Sequence, residues 1–443
     1  MGEVHVITGM AFGDEGVGSL TDFLVRRHQA GTVVRYNGGA QEAHSVVLPD
    51  GRYHTFAQFG SGTLAGARTH LSKHMVVNPI LLGLEATNLN QVGVEDPHSL
   101  LTVDAEALVT TPYHVAANRF SELLRGWYGS CGIGLGETVL DALETPQLAL
   151  RVRDFEDPDT MQHKLLNSRA RKLKRLKDRT SNLTEAASIE YETLLDLDIV
   201  DQCIWAYRGF PKRFEVVDNY LQSLLKDPTE VLVFEGAQGV LLDEDYGFHP
   251  YTTWGHTTRK NALNLLGDHT KVKWIGAFRS YFTRHGAGPF PTEDPQLYFE
   301  GDHNTRGPWQ GPFRFGHFDM ILARYAQAVM RCDEIALTCL DHLDCPTPSY
   351  GYQERFPYLT VDEVKQPLPW DKLLLARQPS PPDSEQLARA LSQATPVYHR
   401  PFRDPPEFFA NLSIHLKAPV TLLSYGPTYQ DKKEHAWKRM PWS

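Results

Sequence analysis

Two neighbouring acids, Asp14 and Glu15, lie inside a glycine-rich turn, GMAFGDEGVGSL at 9–20, that follows a short apolar run. Glycine permits positive φ and lets backbone N–H groups converge, so such a turn before a helix can hold a phosphate. The turn lacks the Gly-Lys-Ser/Thr ending of a Walker A loop. A carboxylate is repelled by a phosphate unless it binds a metal ion or removes a proton. Asp14 in such a turn therefore predicts metal binding or proton transfer beside the phosphate.

Three further stretches combine glycine turns with polar side chains. His44 follows two glycines in YNGGAQEAHS at 36–45, and Gln238 lies in a glycine turn in FEGAQGVLLDEDYG at 234–247. The third stretch is YFTRHGAGPFPTED at 281–294. A histidine or glutamine on its own is more often structural than catalytic. These residues become candidates for function only if the fold brings them together.

Alternating strand-like and helix-like segments from residue 3 to about 345 predict the elements that position these residues. The strand predictions are 4–8, 32–36, 231–236, 272–278 and 334–340. This alternation is typical of an α/β fold with a large, mostly parallel central sheet flanked by helices. In such sheets ligands bind at the carboxyl ends of the strands, where the three glycine turns begin.

Composition excludes several classes of protein. The 443 residues include 44 Lys and Arg and 54 Asp and Glu, and the net charge of −10 argues against nucleic-acid or membrane partners. The five cysteines show no CxxC or Cys/His spacing, so neither a disulfide framework nor a zinc site is expected. No signal peptide or membrane-length apolar run is evident. We expect a cytoplasmic protein with small-molecule partners.

The chain shows no internal repeat or low-complexity linker, so we expect a single domain over 1–443. Residues 345–408 are rich in proline and aromatic residues and are predicted to be irregular and packed on the main body. Residues 162–179, QHKLLNSRARKLKRLKDR, form a basic helical segment. Its simplest interpretation is a solvated helix face.

Together these stretches resemble the adenylosuccinate synthetase family. Its GDEGKGK, VVR-x-x-GG-x-N-AGHT, EGAQG-x-LLD, TRVGAGPFPTE, TKLD and STGP elements have counterparts at 13–19, 33–45, 235–243, 283–293, 338–341 and 424–427. Their order and spacing agree over nearly the whole chain. The resemblance implies a P-loop-NTPase-related fold and a homodimeric ligase of purine nucleotide biosynthesis. In that reaction GTP phosphorylates the 6-oxo group of a purine nucleoside monophosphate, and the amine of L-aspartate then displaces phosphate.

The resemblance also assigns roles to individual positions. Asp14 would take the N1 proton and help to bind Mg²⁺, with the position of Ala43 as a second metal contact. His44 would stabilise the transferred phosphoryl group, and Gln238 would bind near the base. The nucleotide-binding positions are Gly13, Glu15, Gly16, Val17, Gly18, Gln41, Ser130, Cys131, Thr253, Asp341, Ser424 and Gly426. Asp341 would bind the guanine edge of GTP.

Several positions depart from the family pattern. Val17, Ser19 and Cys339 replace lysines, and the arginine that the family donates across the dimer falls near Leu148. Arg151 or Arg153 is the nearest substitute for it.

The family's TTGRRRR run corresponds to 303–319, where Arg306 and Arg314 remain to bind the amine donor. The amine donor and the choice of GTP or ATP stay open. Two alternatives also stay open: the phage-type reaction on a (d)GMP substrate, and a catalytically silent nucleotide sensor. A GTPase switch is the weakest interpretation, because the Walker A lysine and a complete TKLD element are missing.

Overall fold

The computed structural model describes residues 2–125, 129–299, 309–342, 348–352, 359–361, 364–366, 381–399, 402 and 404–436. The strands are β1 Glu3–Gly9, β2 Thr32–Arg35, β3 His44–Val47, β4 Tyr53–Phe56, β5 Arg68–Leu71, β6 Val76–Val77, β7 Leu101–Asp104, β8 Leu108–Val109, β9 Glu215–Val217, β10 Val231–Gly239, β11 Val272–Arg279, β12 Phe282–His285, β13 Phe313–Gly316, β14 Glu334–Thr338, β15 Ser349–Tyr352, β16 Leu359–Val361, β17 Val364–Gln366, β18 Pro396–Tyr398, β19 Val420–Ser424 and β20 Lys432–Glu434. The helices are α1 Val17–His28, α2 Pro79–Gln91, α3 Pro112–Arg125, α4 Leu135–Glu144, α5 Pro158–Leu176, α6 Glu185–Leu195, α7 Asp198–Arg208, α8 Tyr220–Lys226, α9 Arg259–Leu266, α10 Met320–Met330, α11 Pro381–Ser392 and α12 Pro405–Leu416.

A ten-stranded sheet in the order β20-β19-β14-β11-β1-β10-β2-β5-β7-β9 organises the molecule. Every neighbouring pair is parallel except β19 and β20. The predicted α/β class with a large, mostly parallel central sheet is therefore confirmed. Because the strands are parallel, their carboxyl ends lie along one edge, where the predicted glycine turns begin.

Hydrophobic clusters cover both faces of the sheet, as the two-residue period of a strand requires. On β1, Val4 and Val6 face a cluster that includes residues of α9, α10 and α12. Ile7 faces the opposite side and packs with Leu20 and Leu24 of α1. A third cluster joins β5 and β7 to helices α2, α3 and α5 to α7.

The basic segment 162–179 lies in α5 and the 3₁₀ turn Lys177–Arg179 that follows it. Its face is only partly solvated: Lys172 is buried, and its Nζ donates to Asp141 Oδ2 at 2.8 Å. The expectation of a solvated helix face therefore fits the exposed residues of the segment but not Lys172, which acidic partners on α4 allow to be buried.

Residues 345–408 include regular elements in the parts that the structure describes. Strands β15 and β18 pair antiparallel, and α11 packs Leu387 and Leu391 into the main core. The other residues of this stretch lie outside the described ranges. None of the helices in the described part of the chain has the length and hydrophobicity needed to cross a lipid bilayer.

Candidate active site

A cleft of about 1440 Å³ opens at the carboxyl ends of β1, β10, β11, β14 and β19. It brings together predicted positions that are far apart in the sequence. Its lining includes Gly13, Asp14, Glu15, Gly16, Val17, Gly18, Gln41, Ala43, His44, Ser130, Cys131, Gln238, Thr253, Asp341, Ser424 and Gly426. The edge of the sheet therefore gathers most of the motifs around one volume.

The two acids of the glycine turn have different environments. The Glu15 carboxylate faces inward, where its Oε1 accepts hydrogen bonds from the backbone N–H groups of Ala11 and Gly13 at 3.2 and 2.9 Å. Burial, with the nearby charge of Asp14, raises the pKa of Glu15 to about 8. Asp14 lines the cleft with its side chain 23% exposed. Glu15 thus holds the turn together, whereas the Asp14 carboxylate is available to a ligand.

Three residues other than glycine have left-handed backbone conformations in the cleft lining: Asp14 at φ 65°, Gln238 at φ 63° and Cys339 at φ 57°. Such conformations cost free energy and persist only where surrounding contacts impose them. The Asp14 carbonyl oxygen accepts a hydrogen bond from Arg279 Nε, and the Cys339 carbonyl oxygen accepts one from Ser280 Oγ. Hydrogen bonds therefore hold the left-handed backbone of Asp14 and Cys339 in place at the cleft.

Asn37 fixes the turn that carries Gln238. Its Nδ2 donates to the Ala237 carbonyl oxygen at 3.0 Å, and its Oδ1 accepts from the Ala237 N–H at 2.9 Å. Gln238 Oε1 is buried without a hydrogen-bond partner among the described residues. Because Gln238 lines the cleft, this acceptor is available to a ligand or a water molecule.

His44 is oriented by a buried carboxylate. Its Nδ1 lies 2.7 Å from Glu235 Oε1, and the Ser61 N–H donates to Glu235 Oε2 at 2.9 Å. Burial alone would raise the pKa of Glu235, but Arg35 and the hydrogen bonds from His44 and Ser61 lower it. An ionised Glu235 only accepts hydrogen bonds, so Nδ1 is the donor and Nε2 is left for the cleft.

The position of His44 also depends on a glycine. A Cβ at Gly18 would lie 2.6 Å from the His44 Cβ. Glycine therefore lets β3 approach the first turn of α1 and places the imidazole beside the glycine-rich turn at 9–20.

Two residues that line the cleft, and one buried behind it, were not among the sequence candidates. Glu235 fixes His44, Glu42 Oε2 lies 3.8 Å from His44 Nε2, and His285 Nε2 lies 3.5 Å from Asp14 Oδ2. Burial raises the pKa of Glu42. Glu42 and His285 replace the alanine and valine of the family elements, which is the signal that could have identified them.

The loop before α4 forms a second part of the cleft. Ser130 Oγ accepts from the Gly132 N–H at 3.1 Å, and Cys131 Sγ accepts from Gln310 Nε2 at 2.9 Å. Burial raises the pKa of Cys131 to about 12, so the thiol is neutral at physiological pH. The loop can thus meet an anion with neutral hydrogen-bond donors.

A third part lies where β14 and β19 end. Asp341 is partly exposed, and the Gly426 carbonyl oxygen accepts from Ser424 Oγ at 3.1 Å and from Lys432 Nζ at 2.8 Å. Burial lowers the pKa of Lys432 to about 8. Lys432 therefore stabilises the Ser424 turn that faces Asp341.

The predicted donor-binding arginines are not assembled in the cleft lining. Arg314 does not line the cleft, because its Nη1 pairs with Glu293 at 2.7 Å and its Nη2 donates to the Gly288 carbonyl oxygen. Arg306 lies outside the described residues.

The two candidate phosphate arginines also lie away from the cleft. Arg151 donates to the Glu106 carbonyl oxygen, and Arg153 pairs with the Glu106 carboxylate. Neither side chain lines the cleft.

The donor set next to the glycine turn fits Mg²⁺. This ion prefers oxygen ligands and is usually held by one or two carboxylates together with substrate phosphates and water. Asp14 offers a partly exposed carboxylate, and Ala43 lines the same cleft. Phosphate oxygens of the substrate would complete such a site.

Comparisons with known proteins agree with this geometry. A family model described as adenylosuccinate synthetase matches residues 6–347. The chain is similar to adenylosuccinate synthetases of Mycobacterium marinum, at 33% identity over 76% of this chain and 77% of the relative, and of Mycobacterium leprae, at 34% over 79% and 80%.

Two solved structures have a similar fold. Fully ligated adenylosuccinate synthetase from Plasmodium falciparum has a TM-score of 0.76 at 20% identity, covering 98% of this chain and all of that chain. A cyanophage succinoaminodeoxyadenylate synthetase bound to dGMP and dATP has a TM-score of 0.53 at 16% identity, covering 98% and 95%.

Proposed function

Because the chain belongs to the adenylosuccinate synthetase family, we propose that it is a nucleoside-triphosphate-dependent ligase that joins L-aspartate to the 6-position of a purine nucleoside monophosphate. The observation that carries the proposal is the convergence of Asp14, His44 and Gln238 on one cleft beside the phosphate turn. The product is adenylosuccinate or an analogue of it.

In the first step Asp14 removes the N1 proton of the base, which makes O6 nucleophilic. O6 then forms a bond to the γ-phosphorus, and the bond from that phosphorus to the β-phosphate oxygen breaks. The Asp14 backbone is fixed by Arg279, so the carboxylate acts from a defined position. Bound Mg²⁺ would neutralise phosphate charge; Asp14 and the position of Ala43 would hold it.

His44 stabilises the negative charge on the transferred group. Glu235 accepts a hydrogen bond from Nδ1–H, so Nε2 donates to the phosphoryl oxygens only when the ring carries both protons. Backbone N–H groups of the 13–18 turn supply further donors without adding side-chain cations.

In the second step the aspartate amine attacks C6, the C6–O6 bond breaks, and phosphate leaves with O6. The amine nitrogen loses a proton, which returns the purine to neutrality. Arg314 is paired with Glu293 and does not line the cleft, so the choice of L-aspartate as amine donor follows from the family and not from this arginine.

The triphosphate is proposed to be GTP. The Asp341 carboxylate can accept hydrogen bonds from guanine N1–H and N2–H, which adenine lacks. Tighter binding of ATP than GTP in calorimetry would contradict this choice. The remaining parts of the proposal are a homodimer and a cytoplasmic location.

The test is an assay of the wild-type protein with Mg²⁺, GTP or ATP, L-aspartate, and IMP, dIMP, GMP or dGMP in turn. We expect phosphate release and a product whose mass equals that of the monophosphate plus L-aspartate minus one water, because O6 leaves with the phosphate. Product from dGMP but not IMP would favour the phage-type reaction. Nucleotide binding without product in any combination would favour a sensor and contradict the ligase.

A further inference from the structure

The end of α5 contributes positive charge to the cleft. Arginines recur at 171, 175 and 179, which places three guanidinium groups on one face of α5 and its terminal turn. Arg175 and Arg179 line the cleft together with Ser130, Cys131 and Thr253. A segment that composition alone assigns to solvent thus borders the nucleotide positions.

The partners of these arginines change along the row. Arg171 pairs with Glu144, and Arg175 pairs with Glu137 in the first turn of α4. Arg179 is exposed and has no acidic partner among the described residues. Glu122, another acid that lines the cleft, already makes an interaction with a different group. The last arginine of the row therefore has a charge that a bound anion could neutralise.

The other arginines that line the cleft already have partners. Arg284 is buried and donates to the carbonyl oxygens of Ala287, Pro289 and Tyr251. Arg279 donates to the Asp14 carbonyl oxygen and to Tyr281 Oη. Arg179 is thus the cleft arginine best placed to meet a phosphate.

We propose that Arg179, with Arg175 beside it, binds the 5′-phosphate of the nucleoside monophosphate from within the same chain. The inference rests on the proposed function only in taking the ligand to be a nucleotide. The resemblance implies an arginine from the partner subunit for this phosphate, but Arg151 and Arg153 are held at Glu106. The phosphate site of this chain then needs no cation from a partner.

The experiment is calorimetric titration of IMP, dIMP, GMP and dGMP, and of the matching nucleosides, into wild type and variants. Loss of one charge-assisted contact to phosphate weakens binding by about 10- to 100-fold. We expect Arg179→Ala to show this loss for the monophosphate that the wild type binds best. Binding of the nucleoside should stay unchanged, since it has no phosphate.

Matched controls lie in the same segment. Lys174 and Lys177 are exposed but do not line the cleft, so Lys174→Ala and Lys177→Ala should bind monophosphates like the wild type. Arg175→Ala should show a smaller loss than Arg179→Ala, because Glu137 already neutralises Arg175.

Two results would overturn the inference: Arg179→Ala binding monophosphates as tightly as wild type, or losing nucleoside and monophosphate affinity equally. A loss confined to Arg151→Ala or Arg153→Ala would instead assign the phosphate to a cross-subunit arginine. The experiment measures binding, so an absence of ligase turnover would contradict the proposed function but not the phosphate-binding role of Arg179. A wild type that binds none of the four monophosphates contradicts both.

Discussion

At the scale of single residues, Asp14 gives the sharpest prediction. Asp14→Asn keeps the shape of the side chain but removes its basicity, so phosphate release should fall by about 10²–10⁴-fold. Monophosphate affinity should change little, because the turn is held by Glu15 and Arg279 through the backbone. Stopped-flow phosphate release and calorimetry measure the two effects, and normal turnover in this variant would contradict the mechanism.

Glu235→Gln tests how His44 is held. The amide can still accept from Ser61 but no longer matches the charge of a doubly protonated imidazole, so kcat should fall by about 10²–10⁴-fold while KM changes little. Glu434→Gln is the control, since Glu434 pairs with Arg27 on the surface. A large rise in KM with normal kcat would mean that Glu235 shapes the binding site instead.

Some residues of the candidate site can be identified from the sequence, and others cannot. Asp14, His44 and Gln238 lie in or just after glycine turns that resemble the family's motifs, so the sequence identifies them as candidates. Glu235 acts through His44, which is distant in the sequence, and the pairing exists only because the first residue of β3 lies beside the middle of β10. Arg179 belongs to a segment whose composition is that of an ordinary solvated helix. Contacts of this kind depend on tertiary structure and leave no local pattern.

At the scale of elements, the five predicted strands are β1, β2, β10, β11 and β14, the contiguous middle of the sheet. Central parallel strands are buried on both faces and read as apolar runs. Flanking strands such as β5, with the sequence RTHL, are short and carry polar residues that tertiary contacts bury. Their existence therefore could not be inferred from hydrophobicity.

The cap of α10 predicts a pH dependence. Asp319 Oδ1 accepts from the backbone N–H groups of Ile321 and Leu322, and Oδ2 accepts from Tyr352 Oη. Burial raises the pKa of Asp319 to about 6 from 3.8, so the folded protein holds this proton more tightly than the unfolded chain. The contribution of Asp319 to stability is complete below about pH 4 and is lost as the pH rises through 6.

Denaturant unfolding between pH 4 and 7 tests whether the contribution of Asp319 to the free energy of unfolding falls as the pH rises. The stability of Asp319→Asn relative to wild type should increase with pH across that interval. Asp157, the N-cap of α5, provides the opposite case, because hydrogen bonds from Thr160 lower its pKa. A lowered pKa places its change in stability below about pH 4, so the relative stability of Asp157→Asn should fall as the pH rises toward 4 and stay nearly level between pH 4 and 7. Parallel trends in the two variants would contradict the assignment.

At the scale of the whole molecule, we expect a homodimer, as the family resemblance implies. Light scattering at micromolar concentration should give a mass near twice 50.0 kDa. If Arg179 binds the phosphate within its own chain, diluting the dimer to the monomer should not weaken monophosphate binding. A mass near that of one chain at micromolar concentration would contradict the dimer, and affinity that falls with dilution would argue for a shared site.

The strand order also has a consequence for synthesis on the ribosome. Strand β1 lies between β10 and β11, with Glu3 paired to Val231 and Val4 to Val272, so its partners follow roughly 230 residues or more later. At about 5–20 residues per second, β1 waits on the order of 10 s or longer for its first neighbour. An apolar strand with two open edges is prone to pair wrongly during that time. The arrangement that gathers the ligand turns at one edge thus makes the nascent chain dependent on protection, such as a chaperone, until the second half has emerged.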